Sequence, residues 1–572
     1  MYNTSMFEHD SLDIALRSPQ GAVLAGEKIT IGGRLVQEEG TQVFLVLVYP
    51  GNREEQLPMT TEKGLCSVSF TAPEGPGLLF YSFLLKNGEN IRWYGGRTGK
   101  GSFSPERRQS WQITVYDRDF STPDWFRNSV CYQIFPDRFC RSSQSPWKEG
   151  AAYHRSMGRT VRLHKNWQEE PEYQPASGEK DYSPNDYFGG DLRGIEEKLD
   201  YLQEMGISCL YLNPIFEADS NHRYNTADYR RIDPMLGTEE DFIRLCVQAR
   251  QRGIRILLDG VFSHTGSDSQ YFDKKGTYGN GACDSPSSPY YPWYRFSRYP
   301  EEYESWWGFA TLPNVEETEQ SYGAFIHGEG GVLQHWLEAG ASGWRLDVAD
   351  ELPGDFIEGI RSAIDAEKPG AYLLGEVWED GSNKIAYSQR RRYLLGRQVH
   401  GLMNYPFRTA LLNWLAGGDA AVFRDSMETI RENYPPFAFY GAMNFLGTHD
   451  TARILTLLGA EGTPKTKAER AAYRLSPTEL ARGLAKLRLA GMLLYSFPGS
   501  PTLFYGDEAG VQGFEDPLNR GAFPWGSEDA ALTDFFRTLG QLRRTRESLR
   551  SGALRYLLAR GGALAIERER GG

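Results

Sequence analysis

An arginine and an aspartate lie two residues apart in the stretch GWRLDVADE, among mostly apolar neighbours. Residues two apart on a strand point to the same side, so Arg345 and Asp347 should lie next to each other. A structural ion pair and a catalytic pair both fit this spacing. The choice between them depends on which other side chains converge on the same place.

Further acids and histidines follow other apolar runs of the sequence. DGVFSH supplies Asp259 and His264, GEVW supplies Glu376, and GTHD supplies His449 and Asp450. A carboxylate is costly to desolvate unless it is paired or functional. Any one of these residues alone could be a hydrogen-bonding group at a strand end. Several acids and two histidines at one edge favour a catalytic site.

Alternating apolar runs and helical patterns from residue 129 onward indicate a (β/α)8 TIM barrel, because parallel strands need helical crossovers. The predicted strands cover 130–139, 207–216, 254–262, 343–348, 371–378, 399–407, 442–450 and 501–508. Helical spacing occurs in between, for example at Leu192, Ile195 and Leu199, and again within 529–550. A doubly wound parallel sheet is the alternative topology.

Three units are predicted along the chain. Residues 1–121 contain strand-like runs bounded by turn residues and predict an N-terminal β-sandwich of a carbohydrate-binding kind. Residues 122–550 form the catalytic barrel, and 551–572 supply at most two further strands. Within the barrel, 265–329 is a long, aromatic-rich connection that includes Trp306 and Trp307. A connection of this length is usually functional, although some of its rings must form a small core of their own.

Composition excludes several classes of protein. The net charge of -12 and the isoelectric point near 5.5 argue against nucleic acid and anionic membrane as partners. The sequence shows neither a transmembrane segment nor a signal peptide. Its 6 cysteines have no CxxC spacing, and we expect buried free thiols in a cytoplasmic protein.

With DGVFSH, GWRLDVADE, GEVW and FLGTHDT in this order, the chain resembles the α-amylase superfamily, glycoside hydrolase family 13. GISCLYLNPIFEA, SNHRYNTADYRRIDP and WWGFATLPNVE add to the likeness. The last two, after a β-sandwich, resemble the neopullulanase, cyclomaltodextrinase and maltogenic amylase branch. The resemblance covers roughly residues 1–550 and implies a barrel with a C-terminal β-domain that is mostly missing here.

The resemblance implies retaining cleavage of α-glucosidic bonds, which needs two carboxyl groups roughly 5 Å apart. Asp347 is then the nucleophile and Glu376 the acid/base. The guanidinium of Arg345 should lower the pKa of Asp347 and keep it ionised. The negative charge of Asp347 should in turn keep Glu376 protonated.

The same resemblance implies roles for residues that would surround the sugar. Asp450 is the third acid and holds hydroxyl groups, while His264 and His449 bind hydroxyls and stabilise charge. Tyr224 is a stacking platform beneath the sugar. Asp516 and Arg520 contact the next glucose on the non-reducing side, and Trp378 lies on the leaving-group side.

The family's calcium ligands are poorly kept. Ser263 stands where many amylases have an asparagine that helps to hold calcium, and CRSSQSPWKEG offers few ligands for a hard cation. Asp191 in FGGDL retains part of the branch's other site. We therefore expect no metal and no required cofactor, with structural calcium near Asp191 as the weaker alternative. VADE in place of VANE puts Asp350 where it could alter preference on the leaving-group side.

These observations predict an enzyme that acts on cyclodextrins, pullulan, maltooligosaccharides or starch. We expect cleavage of α-1,4 bonds, with α-1,6 bonds as a further candidate. An α-glucosidase or a 4-α-glucanotransferase would use the same residues. A non-catalytic glucan-binding protein is the hypothesis from another class, and the three acids count against it. The expected partners are the α-glucan substrate and a second copy of the chain in a homodimer.

Overall fold

The computed structural model describes residues 6–36, 40–175 and 182–570. Its centre is an 8-stranded sheet of parallel strands, here β1 to β8 in chain order. Their bounds are Cys131–Ile134, Cys209–Leu212, Arg255–Gly260, Gly343–Leu346, Tyr372–Gly375, Gly401–Leu402, Met443–Phe445 and Ser500–Phe504.

The sheet closes into a barrel. Neighbouring strands pair from β6 through β5, β4, β3, β2, β1 and β8 to β7. The two ends of this order meet where Met403 and Met443 form a parallel bridge. The prediction of a barrel is thereby confirmed over that of a doubly wound sheet.

Apolar side chains fill the inside of the barrel at its lower levels. Cys131, Cys209, Leu257, Leu374 and Met443 pack there in one buried cluster. Because side chains alternate along a strand, the positions two residues later also point inward, nearer the carboxyl ends. Polar residues of the site occupy positions of this second, inward-pointing level.

Helices pack around the barrel. Their bounds are Asp124–Arg127, Pro136–Phe139, Trp147–Ser156, Leu192–Glu197, Leu199–Glu204, Glu239–Gln251, Gln320–His327, Val332–Glu338, Gly354–Glu367, Tyr405–Leu415, Ala420–Asn433, Pro436–Tyr440, Ile454–Gly459, Lys467–Ala472, Pro477–Ser496, Ala530–Thr545 and Glu547–Ser551.

One expected helix is missing from the described part of the chain. The connection from β5 to β6 contains a short hairpin, Ile385–Ala386 with Gln389–Arg390, and no helix. The N-terminal sheets lie against this connection, where Leu395 accepts a backbone hydrogen bond from Asp117. Packing by a separate sheet replaces the helix that a regular βα repeat would supply.

The N-terminal region folds into two sheets around its own core, as predicted. One sheet contains Phe7–Glu8, Arg17–Ser18, Lys28–Leu35, Thr60–Glu62 and Leu65–Thr71. The other contains Val23–Leu24, Thr41–Val48, Glu54–Pro58, Gly77–Asn87, Asn90–Gly95, Ser102–Ser104 and Trp111–Tyr116.

The aromatic-rich connection after β3 is partly ordered by its own rings. Phe272 packs edge-on against Tyr294 at 4.7 Å and against Tyr303 at 4.5 Å between ring centroids. The connection also contains the hairpin Phe296–Arg298 with Glu302–Tyr303. Helix Gln320–His327 was not expected within this connection.

Smaller pairs of strands complete the described structure: Arg162–Leu163 with Asp186–Tyr187, Phe216–Ala218 with Thr226–Ile232, and Ala553–Arg560 with Ala563–Glu569. All 6 cysteines are free thiols, and Cys283 alone among them is partly exposed. A search of the described helices for one long and apolar enough to cross a membrane found none.

A buried ion pair joins the N-terminal sheets to the barrel. The guanidinium of Arg17 contacts the carboxylate of Glu432 on helix Ala420–Asn433, and neither side chain is more than 1% exposed. Arg17 also donates to the carbonyl of Gly21 at 2.8 Å. Thr114 donates to the carbonyl of Asn433 at 2.7 Å beside this pair. The contact is buried and hydrogen-bonded, so the two units should unfold together.

Replacing Arg17 by Met should leave the Glu432 carboxylate buried and unpaired. We expect the free energy of unfolding to fall by about 3 to 5 kcal/mol, as measured by urea denaturation. Adding Glu432→Leu should recover most of the loss. The matched control is Arg34→Met, because the Arg34–Asp13 pair is exposed and should be worth less than about 1 kcal/mol. Equal losses in the two single variants would contradict this account.

Candidate active site

The register of three neighbouring strands brings the predicted acids to one place. Asp259 on β3 pairs with Arg345 on β4, and Leu346 on β4 pairs with Gly375 on β5. Asp347 directly follows Leu346, and Glu376 directly follows Gly375. Both therefore lie at the carboxyl edge of the barrel, on adjacent strands.

Arg345 is the centre of the site and is 0% exposed. Its Nη1 lies 2.7 Å from Oδ1 of Asp259 and 2.7 Å from Oδ1 of Asp347. Its Nη2 lies 2.7 Å from Oε2 of Glu376. One positive charge thus holds three carboxylates in a fixed arrangement, so the spacing of GWRLDVADE marks part of a larger cluster than a single ion pair.

The backbone turns sharply directly after Asp347. Val348 has a φ of 39°, in the left-handed region that β-branched residues strongly disfavour. In this conformation its amide donates to Oε2 of Glu376 at 2.8 Å. Strain of this kind persists only where the surrounding structure imposes it, and here it aims an N–H at the acid.

The two oxygens of Glu376 have different surroundings. Oε2 receives the contacts from Arg345 and Val348, whereas Oε1 accepts from the indole of Trp378 at 3.2 Å. Trp378 is 49% exposed and stacks on Tyr405 at 4.1 Å. Oε2 thus lies against the guanidinium and the backbone, whereas Oε1 lies toward the half-exposed ring of Trp378.

Asp259 was noted at a strand end but not predicted as a site residue. Tyr211 and Tyr224 donate to its Oδ2 at 2.6 and 2.7 Å, while Arg345 holds its Oδ1. Asp259 is therefore saturated and positions both Arg345 and the ring of Tyr224. Its place two residues after the inward-pointing Leu257 is the signal that could have identified it.

Tyr224 and His449 form a stack, with ring centroids 5.2 Å apart and planes 4° from parallel. Nδ1 of His449 lies 2.8 Å from the side-chain amide nitrogen of Gln133. Because that nitrogen is a donor, Nδ1 accepts, and the ring proton of His449 is assigned to its Nε2. That nitrogen faces Oδ1 of Asp450 at 3.2 Å. Gln133, on β1, is a further residue that the sequence reasoning missed.

Both predicted histidines are neutral. Burial lowers the pKa of His264 to about 4 and holds the pKa of His449 well below its usual value. Neutral rings carry no fixed positive charge, so the expected charge stabilisation by these residues would act through hydrogen bonds. His264 contacts the carbonyl of Tyr224 at 3.1 Å and the hydroxyl of Ser263 at 3.0 Å, so binding a sugar requires it to exchange one of these contacts.

Arg520 connects Asp450 with Asp516. It lies 3.8 Å from Asp450 and 2.8 Å from Asp516, and its Nε donates to the carbonyl of His449 at 3.1 Å. Asn519 donates to the same carbonyl at 2.7 Å. The structure thus links all ten predicted residues, either directly or through Asp259.

Burial raises the pKa of Asp347 well above its usual value, and the charges of Glu376 and Asp259 act in the same direction. Arg345 opposes this shift but shares its charge among three carboxylates. The expectation of a lowered pKa for Asp347 is therefore wrong in its net direction. Burial and the charge of Glu376 raise the pKa of Asp450 to about 7.

Asp191, the remaining candidate for a calcium ligand, is used as a helix cap. Its Oδ1 accepts from the amide of Gly194 at 2.9 Å, and its Oδ2 accepts from the amide of Ser142 at 2.9 Å. Across the described ranges, no group of three or more His, Cys, Asp and Glu side chains is placed to hold a metal. Both carboxylate oxygens of Asp191 are thus bonded to backbone amides.

Asp350 is also engaged. It lies 2.9 Å from Lys384 and accepts from the hydroxyl of Tyr393 at 2.7 Å. Both partners belong to the connection after β5. Asp350 therefore anchors this connection to the end of β4.

Comparisons with known proteins agree with this geometry. Residues 133–550 match the family described as "Alpha amylase, catalytic domain". An amylopullulanase of Thermoanaerobacterium saccharolyticum is 36% identical over 98% of this chain and 46% of its own length. A cyclomaltodextrinase of Geobacillus thermopakistaniensis is 33% identical over 77% of this chain and 66% of its own length. The chain thus spans about half the length of that amylopullulanase.

Solved structures give the same picture. The type III pullulan hydrolase from Thermococcus kodakarensis is similar with a TM-score of 0.67 and 28% identity, over 99% of this chain and 92% of that chain. The cyclic alpha-maltosyl-(1→6)-maltose hydrolase from Arthrobacter globiformis has a TM-score of 0.65 at 30% identity, over 79% of this chain and 90% of that chain.

A closed barrel with these acids at its carboxyl edge, matched over residues 133–550, places the chain in a known family: it belongs to the α-amylase family, glycoside hydrolase family 13, in the branch of the cyclomaltodextrinases and neopullulanases.

Proposed function

We propose that the protein is a retaining α-glucan hydrolase. It cleaves α-1,4 bonds of cyclodextrins, pullulan, maltooligosaccharides or starch, with α-1,6 bonds as a second linkage to be tested. The observation that carries the proposal is the position of Arg345, which touches Asp347 and Glu376 at 2.7 Å each. One rigid guanidinium sets the separation of the two carboxyl groups, and retention depends on that separation.

The first half of the reaction uses the free oxygens of the two acids. Arg345 holds Oδ1 of Asp347, so we assign Oδ2 to the attack on the anomeric carbon. Glu376 donates the proton on Oε1 to the departing glucosidic oxygen as the bond breaks. The products are a glucosyl ester on Asp347 and a free reducing-side sugar or chain.

In the second half, Glu376 is a carboxylate and takes a proton from water as that water attacks the ester carbon. The bond to Asp347 breaks, and the anomeric configuration returns to α. Asp450, with a pKa raised to about 7 by burial and the charge of Glu376, supplies hydrogen bonds to sugar hydroxyls. Neutral His449 beside it lies in position to do the same.

Two other activities would use the same intermediate. If a sugar hydroxyl replaces water in the second half, the enzyme is a 4-α-glucanotransferase. If a single glucose occupies the non-reducing side, it is an α-glucosidase. We favour the hydrolase because relatives 33% and 32% identical to the chain are named cyclomaltodextrinase and neopullulanase.

The deciding experiment is an assay with β-cyclodextrin, pullulan and soluble starch, with the reducing sugar and product sizes measured. We expect all three to release short oligosaccharides. Larger products than the substrate chains would indicate transfer, and glucose alone would indicate an α-glucosidase. No product from any of them would sink the proposal.

Replacing Asp347 by Asn removes the nucleophile in a side chain of nearly the same shape. We expect kcat to fall by at least about 10³, or roughly 4 kcal/mol of barrier. Circular dichroism should show an unchanged fold. The matched control is Asp534→Asn, an exposed aspartate on helix Ala530–Thr545, which should keep full activity. A folded Asp347→Asn enzyme with near-normal turnover of maltohexaose would contradict the assignment.

Activity should survive the removal of calcium. Asp191 caps a helix with both oxygens, and Ser263 replaces an asparagine that many family members use. Incubation with excess EDTA followed by an assay should leave the rate unchanged. A large loss of rate that added calcium restores would show that a metal site exists.

The division into residues 1–121, 122–550 and 551–572 and the homodimer are further parts of this proposal. Light scattering during gel filtration measures the mass directly. A mass of one chain would remove the dimer while leaving the catalytic assignment intact.

A further inference from the structure

One carboxylate holds two neighbouring tryptophans at the entrance of the site. Oε2 of Glu351 accepts from the indole of Trp306 at 2.7 Å, and Oε1 accepts from the indole of Trp307 at 2.9 Å. Glu351 follows β4 and lies four residues beyond Asp347. The strand that supplies the proposed nucleophile therefore also orients a pair of aromatic rings.

The conformation of Trp307 is not explained by burial of its side chain. It is 78% exposed and has a φ of 50°, a strained conformation for a large side chain. Burial cannot offset this strain, and yet its backbone turn and its indole N–H are both fixed. A large flat ring that is oriented by a hydrogen bond to Glu351 and exposed to solvent is suited to packing against a ligand.

The two rings continue the surface of the active site. Trp306 lies 5.4 Å from the ring of His264, and Trp307 lies 6.0 Å further out, centroid to centroid. Phe309 stacks on Trp306 at 6.2 Å and is 58% exposed. A bridge between His264 and Asn314 ties this loop to the end of β3. The aromatic surface therefore begins at the catalytic cleft and runs outward.

A second exposed ring is tied to the segment that carries Glu351. Tyr387, 71% exposed, stands at the turn of hairpin Ile385–Ala386 with Gln389–Arg390. The guanidinium of Arg391 lies 5.9 Å from the centroid of the Tyr387 ring and donates to the carbonyl of Leu352, the residue after Glu351, at 2.8 Å. Asp350 anchors this hairpin through Lys384 at 2.9 Å. Adjacent residues after β4 thus hold two loops that carry exposed aromatic rings.

We propose that Trp307 and Tyr387 bind the leaving-group part of an α-glucan chain, and that Glu351 is the positioning residue that sets the Trp307 ring for this contact. The inference rests on the proposed hydrolase function. Its ligand is the oligosaccharide on the reducing side of the scissile bond, because Tyr387 belongs to the same connection after β5 as Trp378, whose indole donates to Oε1 of Glu376, the proposed proton donor to the leaving group. Sugar rings present apolar C–H faces that pack on flat aromatic surfaces.

The test compares two substrates that differ only on the leaving side. Maltohexaose places glucose units there, whereas α-maltosyl fluoride places only a fluoride ion there. With the fluoride, the carbon–fluorine bond breaks as Asp347 forms the ester, and water then hydrolyses that ester. Fluoride release therefore reports the nucleophile and the non-reducing side without the aromatic surface.

Trp307→Ala should lower kcat/KM for maltohexaose by about tenfold or more, mainly through KM, as expected for loss of a binding contact. Its rate of fluoride release should stay within about twofold of the unmodified enzyme. Glu351→Ala should behave in the same way. Glu351→Gln keeps one carbonyl acceptor and Trp307→Phe keeps a flat ring, so both should recover part of the loss.

Tyr278→Ala is the matched control, since Tyr278 is another exposed aromatic residue of the same connection whose charged neighbours are Glu217 and Arg159. It should change neither substrate. Equal losses on both substrates in Trp307→Ala, or no loss on either, would overturn the aromatic contact while the hydrolase function stands. Absence of fluoride release from the unmodified enzyme would instead overturn the function, and the contact with it.

Discussion

The buried guanidinium of Arg345 is the interaction on which the site depends. A lone positive charge in the interior would be prohibitively costly, and three carboxylates at 2.7 Å offset that cost. The reverse also holds, since Asp259, Asp347 and Glu376 could not be buried together without it. Charge and geometry are thus inseparable here. The same contacts that make the cluster stable place a nucleophile and an acid side by side.

The cluster contains fewer positive charges than acidic side chains, and this imbalance affects the pKa values of the acids. With Asp450 nearby, Arg345 and the more distant Arg520 do not balance every carboxylate, and burial raises the pKa of Asp347 and brings that of Asp450 to about 7. Both histidines stay neutral for the same reason of burial, and they contribute direction through hydrogen bonds.

The sequence predicted the barrel, and it named side chains that the structure brings together at one edge, because strand alternation and strand-end acids are local patterns. It predicted the net pKa shift of Asp347 wrongly, since the balance between burial and Arg345 depends on how many acids share that charge. Gln133 and Tyr211 escaped notice because an inward-pointing polar residue within an apolar strand has no distinctive neighbours. The missing helix between β5 and β6 was equally hidden, because packing by the N-terminal sheets is a long-range contact.

The stretch GWRLDVADE does more than its first two charged residues suggest. Arg345 and Asp347 face into the barrel, strained Val348 aims an amide at Glu376, and Asp350 and Glu351 reach opposite loops of the rim. A strand end is well suited to this, because the sheet fixes its direction while its last residues are free to turn. Any shift of β4 would move the nucleophile and both loops together. The position of the nucleophile and the shape of the entrance therefore both depend on β4. Substitutions at the far ends of the two loops, away from β4, are the ones that can change substrate preference without moving the nucleophile.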